Sequence, residues 1–496
     1  MAPYTFVLAE TGRPVSLDPL DADYANNLHA SQMIYSTLLD VERDSTLTSR
    51  VLSSFSYNPN TAEIRLEVNK RARFNDGSPI RAQDIEMTVK RMMAKRPTFP
   101  VIQHVLGIKE WSGQVDMLSK PVDGLTSDSD VVRIKLSRHV ENPLFRFALP
   151  LFGVVKRECV DLKTNKLSKG CATSGYYTLL NREGPVWTFA AEKKTNPERR
   201  KIPSEIHIKY LEGRIAASHL KEASEGTTVI LMQEYHVDES EQYRDSTSGF
   251  SRIEQPNSRF SAFLLNPKHA IFERSECRRF FRDTLIGNIS ALFGSLQVER
   301  SLFSRILPGF LNAADLEAGA PPISMELISS CRSVFSHQKL RWMPSPGNNS
   351  KEFEHALRAT TEQLEMDLVI MEGVSSKERF NSFISGNLDV LLGGSGFWAF
   401  DPVGDVQMLF TRGLHKPLSF VTSDLKLQEL LNGLEFEQNP VRRLRSLNQY
   451  VYDQALLNVY SHSKRVYLTR GSGVSKTIPV AITPPAPWQM FDVDAR

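Results

Sequence analysis

The stretches whose residue types come nearest to a reaction are Ser423-Asp-Leu-Lys426 and Ser461-His-Ser-Lys464. A hydroxyl three residues ahead of an amine can be activated as a nucleophile. So short a pattern arises readily by chance, and no longer signature accompanies it. His-Glu-x-x-His, the Walker lysine loop, Gly-x-Ser-x-Gly and paired Cys-x-x-Cys are all absent. Gly393-Gly394-Ser395-Gly396 lacks the rest of a phosphate-cradle motif. The 11 histidines are scattered, and His236, His415 and His462 read as surface or hydrogen-bonded core residues. The residues therefore point away from catalysis, with neither cofactor nor metal expected.

At 496 residues the chain is too long for one ordinary core and suggests roughly three domain-sized units. Hydrophobic residues at 41% and charged residues at 24% describe a globular protein. Against 57 acidic residues stand 60 basic ones, a net charge of +3 that suggests neither nucleic acid nor an anionic membrane as partner. The basic clusters Arg199-Arg200-Lys201 and Arg442-Arg443 with Arg445 are short and read as solvated faces. No apolar run is long enough to cross a bilayer, and the N-terminus lacks the pattern of a signal peptide.

The elements that must position any site are clearest between Asn58 and Met93. Ile64, Leu66 and Val68 alternate with Glu63, Arg65 and Glu67, the period of a strand with one buried face. Asn58-Pro59-Asn60 is a turn signal, and Phe55 and Tyr57 alternate before it, which predicts a hairpin. After Phe74 comes the turn cluster Asn75-Asp76-Gly77-Ser78-Pro79. Ile85, Val89, Met92 and Met93 then recur at helical spacing from about Ala82, with Asp84 placed to favour the positive end of the helix dipole.

This order of alternating strand, basic residues, Phe-x-Asp-Gly-Ser-Pro and amphipathic helix resembles the family 5 extracellular solute-binding proteins of ABC transporters, which take dipeptides, oligopeptides, nickel complexes and oligosaccharides. The resemblance covers nearly the whole chain and is weakest from about Leu292 to Ser350. It implies an α/β, two-lobed periplasmic-binding-protein fold (type II, cluster C) with an extra subdomain. Residues 1–35, 172–258 and 465–496 would form lobe I, 36–171 its additional subdomain, and 259–464 lobe II. It also implies a monomer in the periplasm that binds a peptide or peptide-like solute in the interlobe cleft and delivers it to an ABC permease. Since such proteins are exported, the leader is expected to have been replaced by Met1, because Tyr4 to Leu8 already reads as the first core strand. Cys159 and Cys171 flank the polar segment DLKTNKLSKG, and an oxidising compartment would permit a disulfide there, two free thiols being the alternative. Cys277 and Cys331 could pair or stay reduced.

In order along the chain, Leu17-Asp18-Pro19 opens a loop before the apolar Met33, Ile34, Leu38 and Leu39. The resemblance makes Asp23, Tyr24 and Ala25 ligand contacts, with turn and cap roles as the alternative for Asp21 and Asp23. Phe99, in the prolyl loop after the helix, is a further ligand candidate, with core packing as its alternative. Val131–Leu136, Thr173–Leu179, Ile206–Tyr210 and Thr228–Met232 read as strands, and Asn196-Pro197 as a turn. From about Phe260 the chain would cross into the second lobe, with Phe263–Asn266 extended and a helix through Phe281. Short strands at Met366–Met371 and Asp389–Leu392 around a helix at Ser376–Ile384 suggest a parallel sheet. Helices at Leu425–Leu434 and Val441–Leu456, a return strand from Asn458 and a Pro-rich tail at Pro484–Trp488 complete the reading.

Gly393 to Pro402 would follow a strand end as a Gly-rich aromatic loop, beyond which open α/β sheets place their ligands. Ser395, Gly396, Phe397, Trp398 and Asp401 are the contact candidates there. In peptide-binding members of the family an Asp four residues before this Pro pairs with the peptide's α-amino group, and here that position is Trp398. Asp401 could substitute, though an Asp before Pro commonly forms a turn. An indole could instead stack on a sugar, a heterocycle or an aromatic side chain. The alternatives are therefore an oligosaccharide, a metal chelate or a modified peptide in the same fold, or a periplasmic hydrolase or sensory protein.

Overall fold

The structure is a computed structural model. It describes residues 4–9, 13–14, 16–22, 25–42, 46–195, 202–211, 227–233, 249–255, 259–292, 298–305, 307–344, 349–372, 376–396, 402–410, 424–434, 437, 439–462, 465–471, 474 and 487. The chain divides into two compact units. One is Met1–Gln255 with Arg465–Arg496, and the other is Pro256–Lys464.

The first unit holds strands β1 (Tyr4–Ala9), β2 (Asp40–Val41), β3 (Leu47–Thr48), β4 (Leu52–Asn58), β5 (Glu63–Val68), β6 (Leu125–Asp128), β7 (Val131–Lys135), β8 (Tyr177–Asn181), β9 (Val186–Ala191), β10 (Glu205–Leu211), β11 (Thr227–Gln233), β12 (Ser251–Gln255) and β18 (Arg465–Arg470). Seven of them form a mixed sheet in the order β12-β18-β11-β1-β10-β9-β8. β1 runs parallel to both neighbours. Its consecutive Phe6, Val7 and Leu8 are all buried, the pattern of a strand covered on both faces.

β4, β5, β7 and β6 form a separate antiparallel sheet in that order. The predicted hairpin is β4–β5, with Tyr57 opposite Ile64 and Phe55 opposite Leu66. Ile64, Leu66 and Val68 face inward. The helix Ala82–Lys95 packs on this sheet and buries Ile85, Val89, Met92 and Met93. Asp84 caps it, accepting from the Arg81 amide at 2.8 Å while also accepting from the Arg157 amide at 2.8 Å. Burial nevertheless pushes the Asp84 carboxyl up. Gly175, before β8, lies against the preceding chain, since a Cβ there would sit 2.2 Å from the Ile34 carbonyl carbon.

The second unit is built on β13 (Arg259–Leu265), β14 (Lys339–Trp342), β15 (Asp367–Ile370), β16 (Val390–Gly396) and β17 (Asn458–His462), in the order β15-β14-β16-β13-β17. β14, β15 and β16 are parallel, linked by the helices Asn349–Gln363 and Ser376–Ser385, whereas β13 is antiparallel to β16 and β17. Phe263, Phe272, Phe281, Phe335, Leu340, Trp342 and Phe353 fill one core. Cys277 and Cys331 are bonded inside it, with Cα atoms 5.3 Å apart. The helix expected to reach Leu456 stops at Asp453, because Ala455 takes the left-handed φ of 45°. Helices Ala313–Gly319 and Met325–Phe335 occupy the stretch left unread in the sequence. Among the described residues no helix is long and apolar enough to cross a membrane.

Candidate functional site

The loop after β1 is held by a chain of polar contacts that starts at the helix Ala82–Lys95. Arg91, 1% exposed, donates from Nη2 to Asp18 Oδ2 at 2.6 Å, and Asp18 Oδ1 accepts from the Leu20 amide at 3.0 Å. One turn on, Lys95 is ion-paired with Asp21. Burial acts to raise the Asp21 carboxyl, but hydrogen bonds from Lys95 and Ser16 and the charges of Lys95 and Arg96 outweigh it and hold it low. Asp21 is thus occupied by Lys95 of the helix and by Ser16 of its own loop. Asp23 and Tyr24 lie outside the described residues. Ala25 opens the helix Ala25–Ile34.

The other side of Arg91 is fixed by the cysteine loop. Cys159 and Cys171 are bonded, with Cα atoms 5.8 Å apart, which excludes the free-thiol alternative. Within the loop Asn165, at a left-handed φ of 57°, accepts from Arg91 Nε through Oδ1 and from Nη2 through its carbonyl, each at 3.0 Å. The disulfide therefore closes a polar segment whose central residue orients the guanidinium that orients Asp18. Phe99 is 2% exposed and meets Phe152 edge-on at 5.9 Å, a place in the core of the first unit.

In the second unit, Gly393–Gly396 is not a loop. β16 continues to Gly396, with Gly393 opposite Ala262, Gly394 opposite Phe260's neighbour Ser261, Ser395 opposite Phe260 and Gly396 opposite Arg259. β13 provides backbone partners that outweigh the weak strand preference of glycine. The contact is close, for a Cβ on Gly394 would lie 2.7 Å from the Phe260 carbonyl oxygen. Phe397, Trp398 and Asp401 lie outside the described residues. The chain resumes with the helix Pro402–Phe410, which carries Pro in its first position.

β14, β15 and β16 end at Trp342, Ile370 and Gly396, so the segments after them leave from one edge of the sheet. The helix Ser376–Ser385 starts at that edge and places Arg379 in its first turn, 4% exposed. The sequence reading passed over Arg379. Its signal is the four-residue spacing to the buried Phe383, which puts a charge on the core face of the helix.

His462 is a structural residue. Its Nε2–H donates to the Ser301 carbonyl at 2.8 Å, and burial pushes its pKa down, keeping the ring neutral. His236 and His415 lie outside the described residues. Among the described residues no group of three His, Cys, Asp or Glu side chains could hold a metal ion.

No family model and no curated protein matches the sequence. Solved structures do match in fold. Haemophilus influenzae OppA, in complex with RPPGFSPFR, has a TM-score of 0.76 at 12% identity, covering 98% of this chain and 97% of that one. The murein tripeptide binding protein MppA of Escherichia coli has a TM-score of 0.73 at 14% identity, covering 98% and 96%. NikA from Staphylococcus aureus, in complex with Ni(L-His)2, has a TM-score of 0.71 at 11% identity, covering 96% and 97%. The chain thus shares the mixed α/β fold of these solved structures.

Proposed function

We propose that this chain is a family 5 solute-binding protein, the component of an ABC importer that takes up a peptide or peptide-like solute outside the membrane and delivers it to a permease. The observation that carries this reading is the fold likeness over 96–98% of the chain to proteins solved with a peptide or a metal complex bound, OppA and NikA. The convergence of three strand ends on one sheet edge adds to it, since ligands of open α/β sheets sit there. The contact residues we assign are Asp23, Tyr24 and Ala25 in the first unit, and Ser395, Gly396, Phe397, Trp398 and Asp401 in the second. Phe99, being enclosed, serves as a core support. The protein works as a monomer in the periplasm, and solute binding stabilises the conformation that the permease reads.

One residue favours a second reading. With Trp398 where peptide-binding members carry an Asp, the solute is an oligosaccharide, a metal chelate or a peptide without a free amine, stacked on the indole. The experiment is thermal unfolding of the purified protein against di- to pentapeptides, oligosaccharides and metal chelates. A specific ligand at a hundred times its Kd adds about 2.7 kcal/mol to stability. Trp398→Ala should weaken binding roughly tenfold or more without lowering the unliganded midpoint, and unchanged affinity would remove Trp398 from the site. Silence across the panel, or consumption of a compound in it, would sink the transport reading.

A further inference from the structure

The two disulfides differ in what surrounds them. Cys277 and Cys331 are 1% and 0% exposed inside the core of the second unit. Cys159 and Cys171 are only half-buried, at the two ends of a segment whose side chains mostly face solvent. Along that segment and just before it stand Lys156, Lys163, Lys166 and Lys169 against Glu158 and Asp161. Positive charge favours the thiolates that a broken bridge releases. A dithiol in solution can therefore open the first bridge while the second stays closed.

The segment between the cysteines is ordered from within. Asp161 Oδ1 accepts from the amides of Lys163 and Thr164 at 2.9 and 3.1 Å, and its carbonyl accepts from the Asn165 amide at 2.9 Å. What this scaffold presents is Asn165. Besides the two bonds it accepts from Arg91, its Nδ2 donates to the Arg91 carbonyl at 3.2 Å. Among the described residues the Arg91 side chain is bonded to Asn165 and Asp18 alone. The left-handed φ of Asn165 persists where the surroundings over-determine it. Val160 is the one buried residue between the cysteines, so closure by the disulfide is the chief constraint on the rest.

The hold passes on toward the loop after β1. Asp18, fixed by Arg91, accepts from the Leu20 amide, and Asn27, 1% exposed on the helix Ala25–Ile34, donates through Nδ2 to the Asp21 carbonyl at 3.0 Å. The start of that helix, where Ala25 is one of the assigned contacts, is thus tied to the cysteine loop.

We propose that Asn165 is a positioning residue for the solute contacts of the first unit, and that the Cys159–Cys171 bridge is a redox-sensitive clasp on it. With the bridge closed, Asn165 aims the Arg91 guanidinium at Asp18. A dithiol that gives two electrons to the S–S bond becomes a cyclic disulfide, and its two protons end on the sulfurs of Cys159 and Cys171. Asn165 then leaves Arg91 short of two acceptors, the loop after β1 loosens and solute affinity falls. This inference rests on the solute-binding reading and adds a control on the same site.

The test uses the full folded chain, oxidised or held in dithiothreitol at neutral pH. Alkylation with iodoacetamide, mapped by mass spectrometry, should mark Cys159 and Cys171 and spare Cys277 and Cys331. Hydrogen exchange reads the amides of Leu20, Asp21 and Ala22, each of which donates within the loop. They should exchange at least about tenfold faster after reduction, with β5 unchanged. Asn165→Gly keeps the left-handed backbone and its carbonyl but removes the side chain, so the oxidised variant should already exchange fast and gain little from dithiothreitol. Asn165→Asp, which keeps an acceptor for Nε, should behave as the parent. Cys159→Ser with Cys171→Ser should match the reduced parent without any reductant. Unchanged exchange once the first bridge is open, or the same acceleration by dithiothreitol in Asn165→Gly, would overturn the proposal, as would alkylation of all four cysteines at one rate. Binding is measured separately, by thermal unfolding of both forms against di- to pentapeptides, oligosaccharides and metal chelates. A compound that stabilises the oxidised form should bind the reduced one at least about tenfold more weakly, and equal binding would refute the positioning role. A silent panel with loosened exchange would sink the transport reading and leave the clasp standing.

Discussion

Asp18→Asn isolates the charge that holds the loop after β1. The substitution keeps an oxygen at the position that accepts from the Leu20 amide, so the turn survives and only the ion pair with Arg91 is lost. Removing one partner of a buried pair costs about 3–5 kcal/mol when the other is left without compensation. Here the Arg91 side chain is 2% exposed, but that of Asp18 is 19% exposed and Asn165 still accepts two hydrogen bonds from the guanidinium. Those two facts bring the expected loss to about 2–3 kcal/mol. Arg91→Met in the Asp18→Asn background should restore part of it, because no unpaired cation remains, and the cycle should return a coupling of about 1–2 kcal/mol. Urea unfolding at neutral pH, followed by circular dichroism, measures all four proteins, and the slope should not change. A loss below about 0.5 kcal/mol for Asp18→Asn, or a double variant weaker than the sum of its parts, would show that the pair is dispensable and that the loop is held by packing.

Asp76 predicts an acid limb. Burial acts to raise its carboxyl, but hydrogen bonds from Lys156 and Ser78 and the Lys156 charge bring it from 3.8 down to about 2. Its stabilisation is complete above the unfolded value and is lost as the pH falls through about 2. Asp76→Asn should therefore flatten stability against pH between those values, and an unchanged acid limb would remove this pair from the account. By loop closure, breaking Cys159–Cys171 should cost about 3 kcal/mol and breaking Cys277–Cys331 about 4 kcal/mol. Serine pairs at each bridge, compared by thermal unfolding, would contradict that order if the polar loop proved the more costly. Gly394→Ala should destabilise by about 1–3 kcal/mol, because its Cβ meets the Phe260 carbonyl oxygen, whereas Gly393→Ala meets nothing within 4 Å. Equal midpoints for the two would mean that β13 and β16 are not so closely apposed.

The parts of the fold legible in the sequence are those where one face is buried over several periods. Ile64, Leu66 and Val68 alternate because β5 has a wet side, and Ile85, Val89, Met92 and Met93 repeat because their helix lies on a sheet. The stretch from Leu292 to Ser350 carried no such pattern. The helix Met325–Phe335 buries Cys331 and Phe335 while Met325 is 76% exposed, so its residues do not announce a core face. Its start is marked instead by Ser324, whose Oγ accepts from the Leu327 amide at 3.2 Å, and the neighbouring helix by Asn312, which accepts from Asp315 at 2.9 Å. β14 was missed because two of its four residues, Lys339 and Arg341, are charged, and Arg341 is held there by Asp389 and the Gly386 carbonyl, far along the chain. The glycines of β16 looked like a loop because their strand partner, β13, is distant in sequence. At the candidate site, the resemblance to the solute-binding family marks Trp398 as an aromatic where an acid is expected, but the sequence does not show that Arg379 lies against the Leu392 carbonyl of the same strand.

The place of β18 bears on how the protein comes into being. It lies between β11 and β12, although more than two hundred residues of the second unit separate it from them along the chain. A polypeptide emerging from the N-terminus can finish the second unit while the large sheet of the first still lacks an interior strand. Until Arg465 to Arg470 arrive, one edge of β11 is open and β12 has no neighbour in the sheet. β18 thus acts as the latch of assembly. A ribosome stalled before it, or a stop codon there, would yield a chain with a folded middle and an unclosed beginning, a natural substrate for chaperones and proteases.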